Sequence, residues 1–211
     1  MLPIKVGRVA SALGASVHAY TASPRPTPSS RRDRGYLIPG TGDPDGTIPA
    51  SWHHGHGKEA LRSFLSIGLD HLVIALPLTP ETTHLLSTPE FEILADYSPS
   101  STLSPGATSN NRRPRKPYVT NISRGKVIDQ DALVDALRSG LLSGAALDVA
   151  DPEPLPADNP LWDAPNVQIS PHLSSVGVEY LGRVFDIVRV NLDRLRRGEP
   201  LINEYKREKG Y

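Results

Sequence analysis

The sequence predicts an α/β protein built on a parallel β-sheet, and three observations carry the prediction. His71-Leu72-Val73-Ile74-Ala75-Leu76 is a near-continuous apolar run closed by Pro77, the pattern of a parallel strand buried on both faces. Segments rich in β-formers alternate with segments whose apolar residues recur at helical spacing, the order that layers helices on a parallel sheet. Three of the strands end near Arg124, Asp148 and His172. In a parallel sheet those ends share one edge, the edge at which open α/β sheets bind ligands.

The elements follow in order. Residues 6–13 read as a helical fragment stopped by Gly14, and residues 16–20 as a short strand. Residues 21–57 are rich in Pro, Gly, Ser and Arg and hold the turn cluster 39–46; they are expected to form a long functional or mobile loop. Residues 58–67 form a helix with Leu61, Phe64 and Leu65 on one face, and Thr88 is expected to cap a short helix through Phe91, Ile93 and Leu94. Residues 97–116, dominated by Ser, Pro, Asn and Arg, are expected to be a disordered insertion. Val119-Thr120-Asn121-Ile122-Ser123-Arg124-Gly125 runs from a buried strand into a polar turn, and Asp129 follows as N-cap to an amphipathic helix through Ala132, Leu133, Ala136 and Leu137. Residues 144–149 and 166–170 are further strands, joined by a Pro-rich loop. A helix over 175–197, with the stripe Leu181, Val184, Ile187, Val188, Asn191, Leu192 and Leu195, ends at Gly198.

Composition narrows the function. The 211 residues contain no Cys, carry zero formal net charge and are 38% hydrophobic, which excludes disulfides and thiolate metal sites and leaves no electrostatic footprint for nucleic acid. No apolar run reaches the 18 or so residues of a membrane span, and no secretion signal is visible. A cytoplasmic protein with no nucleic-acid or membrane partner is the expectation. His53, His54 and His56 lack a carboxylate at ligand spacing and read as a solvated loop, so no metal site is expected. Gly57-Lys58 lacks the Ser or Thr of a phosphate-binding loop, and the turn at Asp43 lacks the closing Glu of a calcium loop. The cluster Arg112, Arg113, Arg115 and Lys116 has no interleaved aromatics and reads as a solubilising flank.

The strand ends carry the chemistry. An Arg offers a planar, permanently charged fork for a carboxylate, and a His exchanges a proton near neutral pH. Glu153, in the loop after Asp148, reaches the same crevice, where a carboxylate favours a protonated imidazole.

These residues sit in blocks that resemble the D-isomer-specific 2-hydroxyacid dehydrogenases, NAD(P)-dependent enzymes with a Rossmann domain. The blocks are Leu76-Pro77-Leu78-Thr79-Pro80-Glu81-Thr82-Thr83-His84-Leu85-Leu86, Asn121-Ile122-Ser123-Arg124-Gly125, Ala146-Leu147-Asp148-Val149, Glu153-Pro154-Leu155-Pro156 and Ser170-Pro171-His172-Leu173, in the family's order. The resemblance implies a Rossmann-like, doubly wound parallel sheet over 1–173 and a long C-terminal helix over 174–211 that braces a substrate domain. It implies that Arg124 binds the substrate carboxylate, His172 is the general acid/base and Glu153 its partner. Asp148 would contact the nicotinamide amide, and Pro77, Leu78, Thr83, Ile122, Ser123 and His172 would line the cofactor cleft. Where the family's cofactor strand usually ends in an acidic residue, Thr21 is followed by Ser23 and Arg25, which favours NADP over NAD.

The sequence departs from the family at its start. It holds no G-x-G-x-x-G, and aligning residues 8–20 on the family's first helix and second strand puts residues 1–6 where that loop should end. An N-terminally truncated member is therefore expected, with a sheet incomplete on its N-terminal side and the stripe of the closing helix partly exposed. The expected activity is hydride transfer at the 2-position of D-2-hydroxy and 2-oxo acids, impaired by truncation, with homodimerisation as the family's habit. The alternatives are a nucleotide-sensitive interaction protein, as in the related C-terminal binding protein corepressors, or an inactive fragment.

Overall fold

The computed structural model describes residues 2–32, 36, 38, 41–96, 116–174 and 176–204. The expected insertion lies outside the described residues except for Lys116. Two compact units form, residues 1–55 with 173–211 and residues 56–172.

In the first unit, α1 (Leu2–Ala12) starts earlier than expected and runs out before Gly14, which takes φ +88°. The strand β1 (His18–Thr21) leads to the short helix α2 (Pro28–Arg31), whose N-cap Thr27 and Ser30 satisfy each other's backbone amides. The expected unbroken loop over 21–57 is corrected by α2 and by a second strand, β2 (Ser51–His54), parallel to β1 with His18 opposite Ser51. Its polar side chains find partners in the pairing: the Ser51 hydroxyl lies 2.7 Å from His18 Nδ1 and 2.8 Å from His53 Nε2. Thus Trp52, His53 and His54 are strand residues rather than a solvated loop. Asp43, 6% exposed, accepts the Thr47 and Ile48 amides and anchors the turn that precedes β2.

The second unit is the α/β core. Helix α3 (Gly57–Leu65) buries Leu61, Phe64 and Leu65. Strand β3 (His71–Ile74) is followed by α4 (Thr88–Asp96), β4 (Tyr118–Asn121), α5 (Gln130–Arg138), β5 (Gly144–Leu147) and β6 (Val167–Ile169). The four strands pair in parallel in the order β3-β4-β5-β6. Leu72, Ile74, Val119, Ala145 and Leu147 bury one side of the sheet, whereas Val73, Thr120 and Ala146 on the other are half-exposed. The apolar run 71–76 is thus sealed on one face only. With its parallel sheets and flanking helices the chain has a Rossmann-like α/β fold, closed by a long helix, α6 (Val178–Arg196).

Ser87, not Thr88, caps α4: its carbonyl receives the Glu90 and Phe91 amides, while its own amide and hydroxyl donate to Glu90 Oε2. Glu90 is fully buried and also pairs with Lys58 at 3.3 Å and Arg62 at 2.9 Å, both on α3. One carboxylate therefore caps α4 and ties it to α3. Asp129 caps α5 as expected, accepting the Ala132 amide at 3.2 Å.

Helix α6 buries none of its residues; Leu181 is 66%, Phe185 69% and Leu195 65% exposed. Asn191, the polar member of its stripe, brackets the backbone N–H and C=O of Ile202 and so fixes the segment after the helix. No helix among the described residues is long and apolar enough to cross a membrane.

Glu90 gives a stability test. Burial pushes its carboxyl up, but the hydrogen bonds from Ser87, Arg62 and Lys58 outweigh burial and hold it below the usual value. A depressed folded value means that the contribution is present above the unfolded pKa and is lost as pH falls through the folded one. Glu90→Gln is expected to cost about 2–4 kcal/mol at pH 7 in urea denaturation. The difference from wild type should shrink progressively below about pH 4; a cost that does not change with pH would refute this account.

Candidate active site

The parallel register brings four strand ends level. Ile74, Asn121, Leu147 and Ile169 face one another across β3-β4-β5-β6, so whatever follows each strand emerges at one edge. After β3 comes a turn braced by its own threonines: Thr82 Oγ1 donates to the Pro77 carbonyl and accepts the Thr79 amide, and Thr83 Oγ1 donates to the Thr79 carbonyl. Pro77, Leu78 and Thr83 are exposed on this turn.

After β4 the chain turns on Asn121. This side chain is 1% exposed, and its Oδ1 accepts the Ser123 amide at 3.0 Å and the Ser123 hydroxyl at 2.7 Å. Its Nδ2 donates to the Arg124 carbonyl at 3.0 Å. The amide thus replaces the next rung of the sheet and aims Arg124 outward. Arg124 is exposed, its Nη1 donates to the Ser123 carbonyl at 2.7 Å, and it has no ion pair among the described residues. Ile122 is half-buried beside it, while the Ser123 side chain is spent inside the turn.

After β5, Asp148 Oδ1 accepts the Ser170 hydroxyl at 2.6 Å, which joins the ends of β5 and β6. Thr120, Ile122, Ala146, Asp148, Gln168 and Ser170 line a cavity of about 190 Å³ there.

The loop after Asp148 brings Glu153 back to the edge. Glu153 Oε1 accepts the Ala150 amide at 2.9 Å and Oε2 lies 2.9 Å from His172 Nδ1. His172 has φ +54°, in the left-handed region, and turns its ring back toward Glu153 just after β6. Few side chains accept that backbone, and His is one of those found there more often. Burial pushes the Glu153 carboxyl up, but the His172 ring, the Ala150 amide and the charges of His172 and Arg124 outweigh it and hold it below the usual carboxylate value. With Nδ1 facing a carboxylate, Nε2 is the ring atom left to exchange a proton with a ligand.

Arg124, Asp148, Glu153 and His172 are therefore gathered at one edge of the second unit. Ser23 and Arg25 follow β1 in the first unit. Ser23 is exposed; Arg25 is half-buried, with Nη1 on the Ser30 carbonyl at 2.5 Å. Sequence reading missed Asn121 and Ser170 as structural partners of the site. The spacing Asn121 to Ser123, an amide oxygen reaching an N–H two residues on, is the signal that marks the first.

Residues 53–174 match the family described as D-isomer specific 2-hydroxyacid dehydrogenase, NAD binding domain. An uncharacterized protein from the proB 3′ region of Corynebacterium melassecola is 34% identical over 67% of this chain and 40% of its own length. A glyoxylate reductase of Korarchaeum cryptofilum is 36% identical over 62% of this chain and 33% of its own length. The chain thus spans well under half the length of the curated relatives it matches. Among solved structures, a probable 2-hydroxyacid dehydrogenase from Rhizobium etli, in complex with NADP, HEPES and L(+)-tartaric acid, aligns over 97% of this chain and 52% of its own with TM-score 0.66 and 29% identity. A D-isomer specific 2-hydroxyacid dehydrogenase from Xanthobacter autotrophicus, in complex with NADPH and MES, covers 99% of this chain and 82% of its own with TM-score 0.61 and 27% identity.

Two outcomes follow from this geometry. Asn121→Ala strands the buried Ser123 donors and should cost about 2–4 kcal/mol in chemical denaturation; a loss under about 0.5 kcal/mol would remove Asn121 from its place in the turn. In ¹³C carboxyl NMR, Glu153 should titrate below the ordinary Glu value and move up toward it in His172→Gln. The pair is intact above that depressed midpoint and is lost as pH falls through it.

Proposed function

The chain belongs to the D-isomer-specific 2-hydroxyacid dehydrogenase family, and from that premise we propose that it reduces 2-oxo acids, or oxidises D-2-hydroxy acids, with a nicotinamide cofactor. The observation that carries the proposal is the Glu153–His172 pair, 2.9 Å across, on the sheet edge that also bears an exposed Arg124 without an ion pair among the described residues.

In this reading the guanidinium of Arg124 holds the substrate carboxylate and draws electron density from the neighbouring carbonyl oxygen. His172 Nε2 gives that oxygen a proton as the carbonyl becomes an alcohol, while Glu153 holds Nδ1 and stabilises the protonated ring. The nicotinamide, when bound, supplies the hydride to the carbonyl carbon. Asp148 would accept the amide N–H of the ring within the cavity it lines with Ile122 and Ser170, and Pro77, Leu78, Thr83 and the backbone of Ser123 would edge the cleft. The residues present suit the nicotinamide end; the sequence supplies no glycine-rich phosphate loop. At the adenosine end, Ser23 and Arg25 support NADP over NAD, since the sequence after β1 carries an Arg and no carboxylate where the family usually has an acidic residue for the ribose. A cytoplasmic enzyme acting as a homodimer completes the proposal. The second reading, a nucleotide-sensitive interaction protein, is favoured by one observation, the exposed apolar residues along α6.

The deciding experiment is titration of the chain with NADPH and NADH by nicotinamide fluorescence, followed by turnover of glyoxylate and pyruvate. Saturable NADPH binding with reduction of either acid is expected; binding without turnover would select the interaction reading, and neither would overturn both. Among variants, His172→Gln should lower kcat about 10²–10⁴-fold. Arg124→Ala should lower kcat/KM by about 10², raising KM for the acid and lowering kcat together, and Arg124→Lys should recover only part of that, because an ammonium cannot make the forked contact.

A further inference from the structure

Two features of the second unit are not explained by the roles above. A β-carbon on Gly125 would overlap the carbonyl of Ala150 and lie 2.8 Å from its Cα, so the turn that carries Arg124 rests directly on the backbone that precedes Glu153. Five residues after Gly125, at the first turn of α5, Gln130 Oε1 accepts the amide of Asp151 at 3.2 Å. The same short segment thus touches Ala150 by contact and Asp151 by a hydrogen bond. Between and beyond them, the Ala150 amide is the donor that holds Glu153 Oε1, and Glu153 Oε2 faces His172 Nδ1.

We infer that Gly125 and Gln130 are positioning residues, which seat the loop bearing Glu153 and thereby set the orientation and tautomer of His172. Neither reaches the reacting atoms. Gly125 sets how closely the Arg124 turn and the Glu153 loop approach, because backbone meets backbone and no side chain can yield. Gln130 sets the loop's pitch, because a fixed Asp151 amide leaves the Ala150 amide pointing at the Glu153 carboxylate. The distance between the anion-binding arm and the proton-transferring pair is then a property of this junction. The inference rests on the proposed function for the roles of Arg124 and His172, and on the geometry alone for the seating of Glu153.

The test reads the imidazole ¹⁵N shifts of His172, which report which ring nitrogen carries the proton in the neutral form, in parallel with steady-state kinetics. In the wild type the Glu153 carboxylate should hold the Nδ1–H tautomer. Gln130→Ala and Gly125→Ala should shift the ring toward Nε2–H and lower kcat about three- to tenfold with KM for the acid within about twofold, the scale of a misplaced acid/base. Gln130→Glu, which keeps an acceptor for the Asp151 amide, should restore both. Gly144→Ala is the control for a backbone clash elsewhere: its β-carbon would lie 2.7 Å from the Asn166 carbonyl oxygen, at the opposite end of β5, and the His172 tautomer should not move. A wild-type ring in the Nε2–H form, or folded Gln130→Ala and Gly125→Ala that keep the wild-type tautomer, would overturn the inference. If Gly125→Ala does not fold, the Gln130 pair decides. Absence of turnover with every 2-oxo acid would remove the functional reading, while the tautomer comparison would still judge the junction.

Discussion

The buried amide of Asn121 is the interaction on which the edge of the sheet depends. At the end of β4 the backbone must leave the sheet and turn within three residues, and each abandoned rung leaves a donor or acceptor that water does not reach. Asn121 meets this need with both ends of one side chain, taking the Ser123 donors on Oδ1 and giving Nδ2 to the Arg124 carbonyl. Because that amide is buried, the turn has one conformation, and the guanidinium leaves the sheet in one direction. Next to it, Gly125 lets the following backbone approach Ala150. Chemistry at the edge is thereby delegated to side chains whose origins are fixed by main-chain packing.

A second layer of the same logic runs through the helices. Glu90 is buried with every oxygen engaged, by Ser87 on its own turn and by Lys58 and Arg62 from α3. The cations keep roughly two-fifths of their side chains in solvent, so the desolvation cost falls mainly on one ion and is offset by several charge-assisted bonds. These ion pairs tie α4 to α3, and their contribution is to stability.

Much of this is legible in the sequence alone. Alternating strands and amphipathic helices reported the parallel sheet, the strand ends nominated Arg124, Asp148 and His172, and Leu61, Phe64 and Leu65 were identified as a buried helical face. What escaped was decided by contacts distant in sequence. Nothing in Ser51-Trp52-His53-His54 alternates strongly enough to announce a strand; β2 exists because β1 offers it a parallel partner and because His18 answers Ser51 across the pair. Glu90 carries no sign of burial in its own segment, since its partners lie on α3. Thr88 looked like the cap of α4 because Ser87 and Thr88 are both good caps and only the reach of Glu90 back to Ser87 separates them. The sequence marks a polar turn at Gly125, but the close approach of its backbone to Ala150, which leaves no room for a β-carbon, is decided by a segment distant in sequence.

The exposed face of α6 has a consequence for how the molecule behaves in solution. Leu181, Phe185, Val188, Leu192 and Leu195 present apolar surface, while the formal net charge is zero and the isoelectric point is about 7.1. At neutral pH there is little long-range repulsion to keep copies apart, and any short-range attraction between these helices goes unopposed. Colloidal stability should therefore be poorest near pH 7 and improve on either side of it. Structure-ordering salts such as sulfate, which strengthen apolar association, should lower it further, and added arginine or a modest shift of pH should raise it.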